Sequence, residues 1–284
     1  MLVLYFGDVF GKPGREALMG AFKKIHGYLP TIDFTIINGE NVTHGNGINP
    51  EMAQALLDSG VDVITLGNHA WDQRTIIPYL GTTTRIIRPL NYPDHPMFKA
   101  PGRGSTVVEK NGARGVKRLG IIQVMGRVFM DALDCPFRTA EAEVNRMNER
   151  DITNIFIDFH GEASSEKQAF AHFMDGKVAA VVGSHAHVQT ADERILPGGT
   201  AAITDVGMTG CYDSVIGVKK ELSIQKFITK RPVKFEAAEG EGGYGCVLIE
   251  IDEKTGRSTR ILRLREQVLH PTFIPEELVR FAGR

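Results

Sequence analysis

The chain has 284 residues, 42% hydrophobic and 24% charged, an ordinary globular composition that excludes intrinsic disorder and collagen-like repetition. Thirty-three Lys and Arg stand against 34 Asp and Glu, a formal charge of −1, so no global basic field is available to hold a long nucleic acid. The cysteines, Cys135, Cys211 and Cys246, are far apart and form no C-x-x-C pair, which argues against a disulfide framework or a zinc ribbon, and no apolar run approaches the roughly 20 residues of a membrane span.

In chain order, Leu2–Phe6, Phe34–Asn38, Val61–Leu66, Leu119–Met125, Asn154–Phe159, Ala179–Val182 and Thr200–Thr204 are short β-rich apolar runs. They lack polar alternation, as strands buried on both faces do. Between them Leu18, Phe22, Ile25 and Leu29 recur at helical spacing, and Pro50 opens a segment with Ala53, Leu56 and Leu57; Thr139–Arg150 and Ser165–Met174 follow the same pattern. The alternation predicts a mostly parallel central sheet flanked by helices, an α/β class. Gly81–Arg118, with Pro89, Pro93, Pro96 and Pro101, predicts a long surface excursion with a hairpin around Asn111-Gly112. After Gly207 come Gly-rich loops, then Tyr244–Ile251 and Thr259–Val268 about a Lys254-Thr255-Gly256 turn, read as antiparallel C-terminal strands that extend or cover the sheet. No linker or internal repeat interrupts the chain, so the expectation is one soluble, cytoplasmic domain over residues 1–284 with no membrane partner.

Chemistry collects where the strands end. The first leads to Asp8, the second to Glu40 and Asn41, the third to Asn68 and His69, the fifth to His160, and the sixth to His185 and His187. The carboxyl ends of parallel strands share one edge, so residues scattered along the chain converge there. Singly, Asp8 or Asn41 reads as a helix cap or turn residue, and His160 as a satisfied core imidazole. Glu40 is harder to dismiss, because a carboxylate after a buried strand needs a cation or donors. In His185-x-His187, alternate residues of an extended segment point the same way and can reach adjacent metals. Together the set is a costly cluster of polar groups unless metal supplies the counter-charge. Mixed oxygen and nitrogen ligands without thiolate suit Fe, Mn or catalytic Zn, and their number is enough for two ions sharing Glu40.

These residues resemble the calcineurin-like metallophosphoesterases, in the order Gly7-Asp8, Gly39-Glu40-Asn41, Gly67-Asn68-His69, His160 and Gly183-Ser184-His185-Ala186-His187. The strings GDVFGKPGR, NGENVTHGNGI, TLGNHAWD, RPLNYP, GSHAHVQTAD and TDVGMTG further resemble the YmdB-like branch, described as 2′,3′-cyclic-nucleotide 2′-phosphodiesterases. The resemblance implies a layered metallophosphoesterase fold and two divalent or mixed-valence metal ions. It places Asp8, Glu40, Asn41 and His187 on one ion and Glu40, Asn68, His160 and His185 on the other. Where the broad family has a ligand His two residues after its first Asp, this chain has Phe10, and the branch resemblance gives that place to Asn41. Glu40 replaces the usual bridging Asp. Homo-oligomerisation is a family-level expectation.

Two ions sharing a water lower its pKa and clamp an in-line displacement at phosphorus. The expected reaction is therefore attack by a bridging hydroxide on a small phosphodiester, with 2′,3′-cyclic nucleotides going to 3′-nucleotides. His69 is the candidate proton donor to the leaving oxygen, its alternative being a supporting residue or further ligand. Lys12 and Arg15, at the start of the first helix, are candidates for phosphate oxygens against the plainer reading of a solvated helix start. Arg88, Asn91 and Tyr92 are expected to form one wall of a substrate pocket, with Tyr92 stacking a base, and Thr209 and Gly210 another. Competing readings are a phosphomonoesterase or nuclease using the same metals, or a metal-binding regulator with little turnover.

Overall fold

The computed structural model describes residues 1–29, 32–112 and 115–266. In chain order these form β1 (Leu2–Phe6), β2 (Asp8–Val9), α1 (Gly11–Tyr28), β3 (Phe34–Asn38), α2 (Pro50–Asp58), β4 (Val63–Thr65), α3 (Ile76–Leu80) and β5 (Ile86–Ile87). Next come β6 (Ser105–Gly112), β7 (Gly115–Met125), α4 (Pro136–Asn148), β8 (Ile155–His160), α5 (Ser164–Met174) and β9 (Ala180–Ser184). The last elements are β10 (Arg194–Ile195), β11 (Ala201–Ile203), β12 (Met208–Cys211), α6 (Lys220–Thr229), β13 (Gly242–Asp252) and β14 (Arg257–Glu266).

The expected single central sheet is in fact two. The first runs β2-β12-β13-β1-β3-β4-β5, with β14 also paired to β13; the second runs β10-β11-β9-β8-β7-β6. Side-chain parity explains why two are needed. In β1, Leu4 and Phe6 pack with Leu18, Phe22 and Ile25 of α1 and Leu56 of α2, whereas Val3 and Tyr5 face Leu119, Ile121, Phe156 and Val182 of the other sheet. The outer face of that second sheet, through Val124, Ile157 and Phe159, packs on Val144 of α4 and Phe170 of α5. Alternate residues of a strand point to opposite faces, so a strand apolar on both faces needs a layer on each side. The result is a four-layer α/β domain, helix on sheet on sheet on helix.

The parallel core is as expected: β1-β3-β4-β5 and β7-β8-β9-β11 are parallel. Three segments differ from expectation. Residues 81–118 are not all excursion, because Ile86 and Ile87 are buried in β5; the hairpin expected around Asn111-Gly112 is present, as a long antiparallel β6–β7 ladder whose register runs to Gly112 opposite Gly115. The C-terminal hairpin is antiparallel, yet β13 neither covers nor extends an edge; it is inserted beside β1, with Phe6 opposite Cys246. Its expected continuation to Val268 lies outside the described residues. The stretch after Gly207 carries β12 and α6 where loops were expected. Among the described residues no helix is long and apolar enough to cross a membrane.

Candidate metal centre

The site sits on the rim that the two sheets share. The first sheet contributes Asp8 in β2, Glu40 and Asn41 after β3, and Asn68 and His69 after β4; the second contributes His160, the last residue of β8, and His185 and His187 after β9. Asp8, Glu40, Asn41, His160 and His187 are all buried.

Three acceptor atoms crowd a single ring nitrogen. His160 Nε2 lies 3.0 Å from Glu40 Oε1, 2.9 Å from Asn68 Oδ1 and 3.1 Å from His185 Nδ1. One N–H cannot satisfy three lone pairs at once, whereas a cation can. Glu40, His160 and His185 offer ligand atoms that all lie within 4.8 Å of one another. Beside them, His187 Nε2 is 3.9 Å and His160 Nδ1 4.0 Å from Asp8 Oδ1. Asp8 Oδ1 and Asn41 Oδ1 are buried without a hydrogen-bond partner, an arrangement that is expensive unless something electropositive lies against it. Asn41 Nδ2 donates to the Gly45 carbonyl at 2.9 Å, which commits the amide's donor end and leaves its oxygen to serve as a ligand. Gly67 completes the cradle: a Cβ there would fall 2.4 Å from both Glu40 Oε2 and His160 Nε2. The donor set therefore fits metal ions.

The charges agree. Burial works to raise the Glu40 carboxyl, but the His160 charge and hydrogen bond prevail and hold it well below its ordinary value. Burial likewise works to lower His160, and Glu40, Asp8 and Asp158 outweigh it, lifting the imidazole well above the usual range. His185 is pushed down to about 3 by burial and by the neighbouring His160 charge, so it presents a neutral ring. Asp8 is pushed up to about 6, chiefly by burial.

A buried network holds these groups in place. Asp158, between the sheets, accepts from the hydroxyls of Tyr5 and Thr65 and from Asn38 Nδ2 on one oxygen and from Ser184 Oγ at 2.7 Å on the other. Ser184 Oγ in turn meets His160 Nδ1 at 2.8 Å. Lys167 and Asp205 form a buried pair at 2.6 Å, and Asp205 also accepts from the backbone of Ala186 and Gly207. The H-x-H segment is not extended as expected: His185 has φ 99° and His187 φ 61°, conformations non-glycine residues rarely adopt. Strain of this kind persists where surrounding contacts impose it. Here His185 N–H donates to Asp8 Oδ2 at 3.2 Å, and His187 Nδ1 donates to the Ile216 carbonyl at 2.8 Å.

Phe10 packs edge-on to His187, with centroids 5.6 Å apart, between Gly45 and Gly217, where a Cβ would overlap its ring. His69 is partly exposed at the cleft; its N–H donates to Glu40 Oε2 at 3.0 Å and its Nδ1 meets Asp72 Oδ2 at 2.8 Å. None of the residues expected to form substrate walls lines the cleft that holds His69, His185 and His187, although Tyr92 stands close enough to feel the Glu40 charge. Arg88 spends its guanidinium on the carbonyls of Pro89, Leu90, Ala100 and Pro101. Asn91 bridges Met125 and Asp134, Tyr92 packs on Trp71 at 5.2 Å, and Thr209 is fully buried in β12. Arg15 caps the Val42 carbonyl at 2.7 Å, and exposed Lys12 pairs with Glu16. Sequence reasoning passed over Asp72, three residues after His69, and Asp158, although an acid inside the apolar run IFIDF is a visible signal. Ser184 carries no such signal, being one residue of the 183–187 string.

Two packed sheets carrying a histidine, carboxylate and amide cluster on their common rim define a metallophosphoesterase. The YmdB-like protein family model matches residues 4–264, and the chain belongs to that family. It is 44% identical over 265 residues to a Bacillus subtilis (strain 168) 2′,3′-cyclic-nucleotide 2′-phosphodiesterase, covering 93% of this chain and 96% of that protein. Among solved structures it is similar to a novel phosphatase of Mycoplasma pneumoniae, with TM-score 0.84, 33% identity and coverage of 93% and 92% of the two chains. It is also similar to a hypothetical protein from Thermus thermophilus, with TM-score 0.83, 38% identity and coverage of 93% and 98%.

Proposed function

We propose that this phosphoric-ester hydrolase cleaves small phosphodiesters, nucleoside 2′,3′-cyclic phosphates among them, to 3′-phosphates at a dinuclear centre of Fe or Mn, with Zn as the further option. The observation that carries the reading is the convergence on His160 Nε2 of Glu40, Asn68 and His185 beside the unpartnered oxygens of Asp8 and Asn41. Asp8, Asn41 and His187 would hold one ion, Asn68, His160 and His185 the other, and Glu40 both. When bound, such a pair supplies Lewis acidity toward a phosphoryl group and lowers the pKa of water toward neutrality. The name of the Bacillus relative supports the cyclic-nucleotide substrate.

The chain's own residues do the rest. Hydrolysis adds water at phosphorus and breaks the bond to the 2′ oxygen, which must gain a proton. His69 in its doubly protonated form is the proposed source: Nδ1–H is given to Asp72, the Nε2 proton would pass to the 2′ oxygen and leave the ring neutral, and the Glu40 bond to the His69 backbone N–H holds the residue in place. Neither Lys nor Arg lines the cleft among the described residues, which supports a small diester over a long nucleic acid. Cytoplasmic action on a small molecule belongs to the same reading.

Metal analysis of the purified protein, beside turnover of adenosine 2′,3′-cyclic phosphate and an aryl monoester, tests it. About two ions per chain, preference for the diester, and loss of both metal and turnover in Asp8→Asn are expected. For His69→Ala the expectation is retained metal with a rate loss of about 10²–10⁴-fold, largest for poor leaving groups. Full metal and full turnover in Asp8→Asn contradict the reading.

A further inference from the structure

The cleft that opens onto the histidine cluster has a volume of about 570 Å³, and its far wall is apolar, made by Ile216, Val218, Phe235 and Ala237. We propose that this wall, with Phe235 at its centre, is the docking platform for the nucleobase of the substrate, so that the enzyme selects nucleoside cyclic phosphates over cyclic diesters that carry no base. The inference rests on the reaction proposed above and assigns the base to a place the sequence did not indicate.

Backbone pairing places the wall. Val218 bridges to Val215 and Ala237, Lys219 N–H donates to the Glu236 carbonyl at 3.0 Å, and Ala238 N–H to the Gly217 carbonyl at 2.8 Å. These bonds carry Phe235 and Ile216 to the mouth of the cleft, where they remain 46% and 49% exposed. The Lys226 ammonium lies over the Phe235 ring, 5.9 Å from its centroid, and the remainder of the side chain stays open to solvent. Ile216 has φ 50°, an outlier for a β-branched residue. Its carbonyl is the one that accepts from His187 Nδ1, so a single strained residue ties a candidate metal ligand to the apolar wall.

Charge selects the occupant. Carboxylates Glu162 and Glu236 stand at the cleft, Glu236 paired with Lys219 at 2.8 Å, and neither Lys nor Arg faces it among the described residues. Lys219 is already paired with Glu236 and Lys226 lies over the Phe235 ring, so a second phosphate would have to compete with these contacts for a counter-charge. A flat, uncharged ring does find a matching surface, and aromatic stacking on a base is insensitive to its identity. Tyr92, expected to stack the base, packs edge-on against Trp71 and is not among the residues lining this cleft.

The test compares adenosine 2′,3′-cyclic phosphate with methyl β-riboside 2′,3′-cyclic phosphate, which has the same reacting group and no base. The wild type is expected to favour the nucleotide in kcat/KM, Phe235→Ala to cut that preference about tenfold through KM, and Phe235→Tyr to keep it. Saturation-transfer NMR with adenosine on chelated protein reads the platform without turnover; base-proton signals are expected in the wild type and lost in Phe235→Ala. Equal use of both diesters by the wild type, or unchanged preference and adenosine signals in Phe235→Ala, overturns the proposal. A Phe235→Ala protein whose preference is unchanged but whose mass falls in light scattering makes this wall a contact between copies, which also overturns it. If neither diester is turned over, the reaction is misread, and the adenosine signals still decide the platform.

Discussion

Replacing Ser184 by Ala removes one oxygen from the most buried part of the site. The hydroxyl is fully buried, 2.7 Å from Asp158 Oδ1 and 2.8 Å from His160 Nδ1. Asp158 is acceptor-only when ionised, so the one Ser184 proton goes to it and the Ser184 lone pair must accept from His160 Nδ1–H. That fixes the imidazole with its Nε2 lone pair toward Glu40 and Asn68, the tautomer a metal needs. Without the hydroxyl, Asp158 keeps Tyr5, Thr65 and Asn38 as donors, while His160 N–H is left with Asp8 Oδ1 at 4.0 Å, beyond hydrogen-bond reach. A buried donor left unsatisfied costs about 1–3 kcal/mol of folding stability, and losing the partner behind a ligand imidazole costs about 10–100-fold in metal affinity. Urea unfolding of the chelated protein measures the first effect, and competition titration with Zn²⁺ the second. The ¹⁵N shifts of His160 in the zinc form report which ring nitrogen carries the proton. A variant that loses stability but binds Zn²⁺ within twofold of the wild type, with Nδ1 still protonated, refutes the reasoning.

Gly67→Ala should leave the fold recognisable by circular dichroism and reduce bound metal to less than a tenth, because its Cβ would meet Glu40 Oε2 and His160 Nε2 at 2.4 Å and displace them by about 1 Å; two retained ions per chain would show that the cradle is misassigned. Metal affinity should rise with pH. In the chelated protein burial works to lower His160 and Glu40 overcomes it, raising the group to about 9, so at neutral pH the ion must expel this proton, and apparent affinity gains about tenfold per pH unit until that value is passed. Asp8, raised to about 6 by burial, adds a second competing proton below that pH and steepens the loss. Calorimetry in buffers of different ionisation enthalpy should detect about one proton released at pH 7.5, and a buffer-independent heat would contradict the scheme.

The convergence of Asp8, Glu40, Asn68, His160 and His185 was legible because each follows a buried apolar run, and parallel strands deliver their ends to one edge. That the edge belongs to two sheets was not. Runs apolar on both faces look alike whether the second face meets a helix or another sheet, as Tyr5 does through Phe156, at 5.3 Å between rings. The insertion of β13 beside β1 was hidden for the same reason: Val247 and Ile249 carry no mark that says centre or edge. The spacing of His185 and His187 was read as that of an extended strand, whereas tertiary bonds from Asp8 and Ile216 force both into the left-handed region. Arg88 and Asn91 look like substrate contacts in sequence because their charge and amide are visible there and the carbonyls that consume them are not. Phe235 was passed over because an isolated aromatic in a polar stretch has no periodicity to mark it.

Crystals grown from chelated protein and soaked in Mn²⁺, with anomalous difference maps collected near the manganese edge, put the account to its most direct trial. Two peaks about 3.5–4 Å apart are expected, one against Asp8, Asn41 and His187, the other against Asn68, His160 and His185, with Glu40 touching both. A single peak, or manganese bound away from the rim where the two sheets meet, would contradict it.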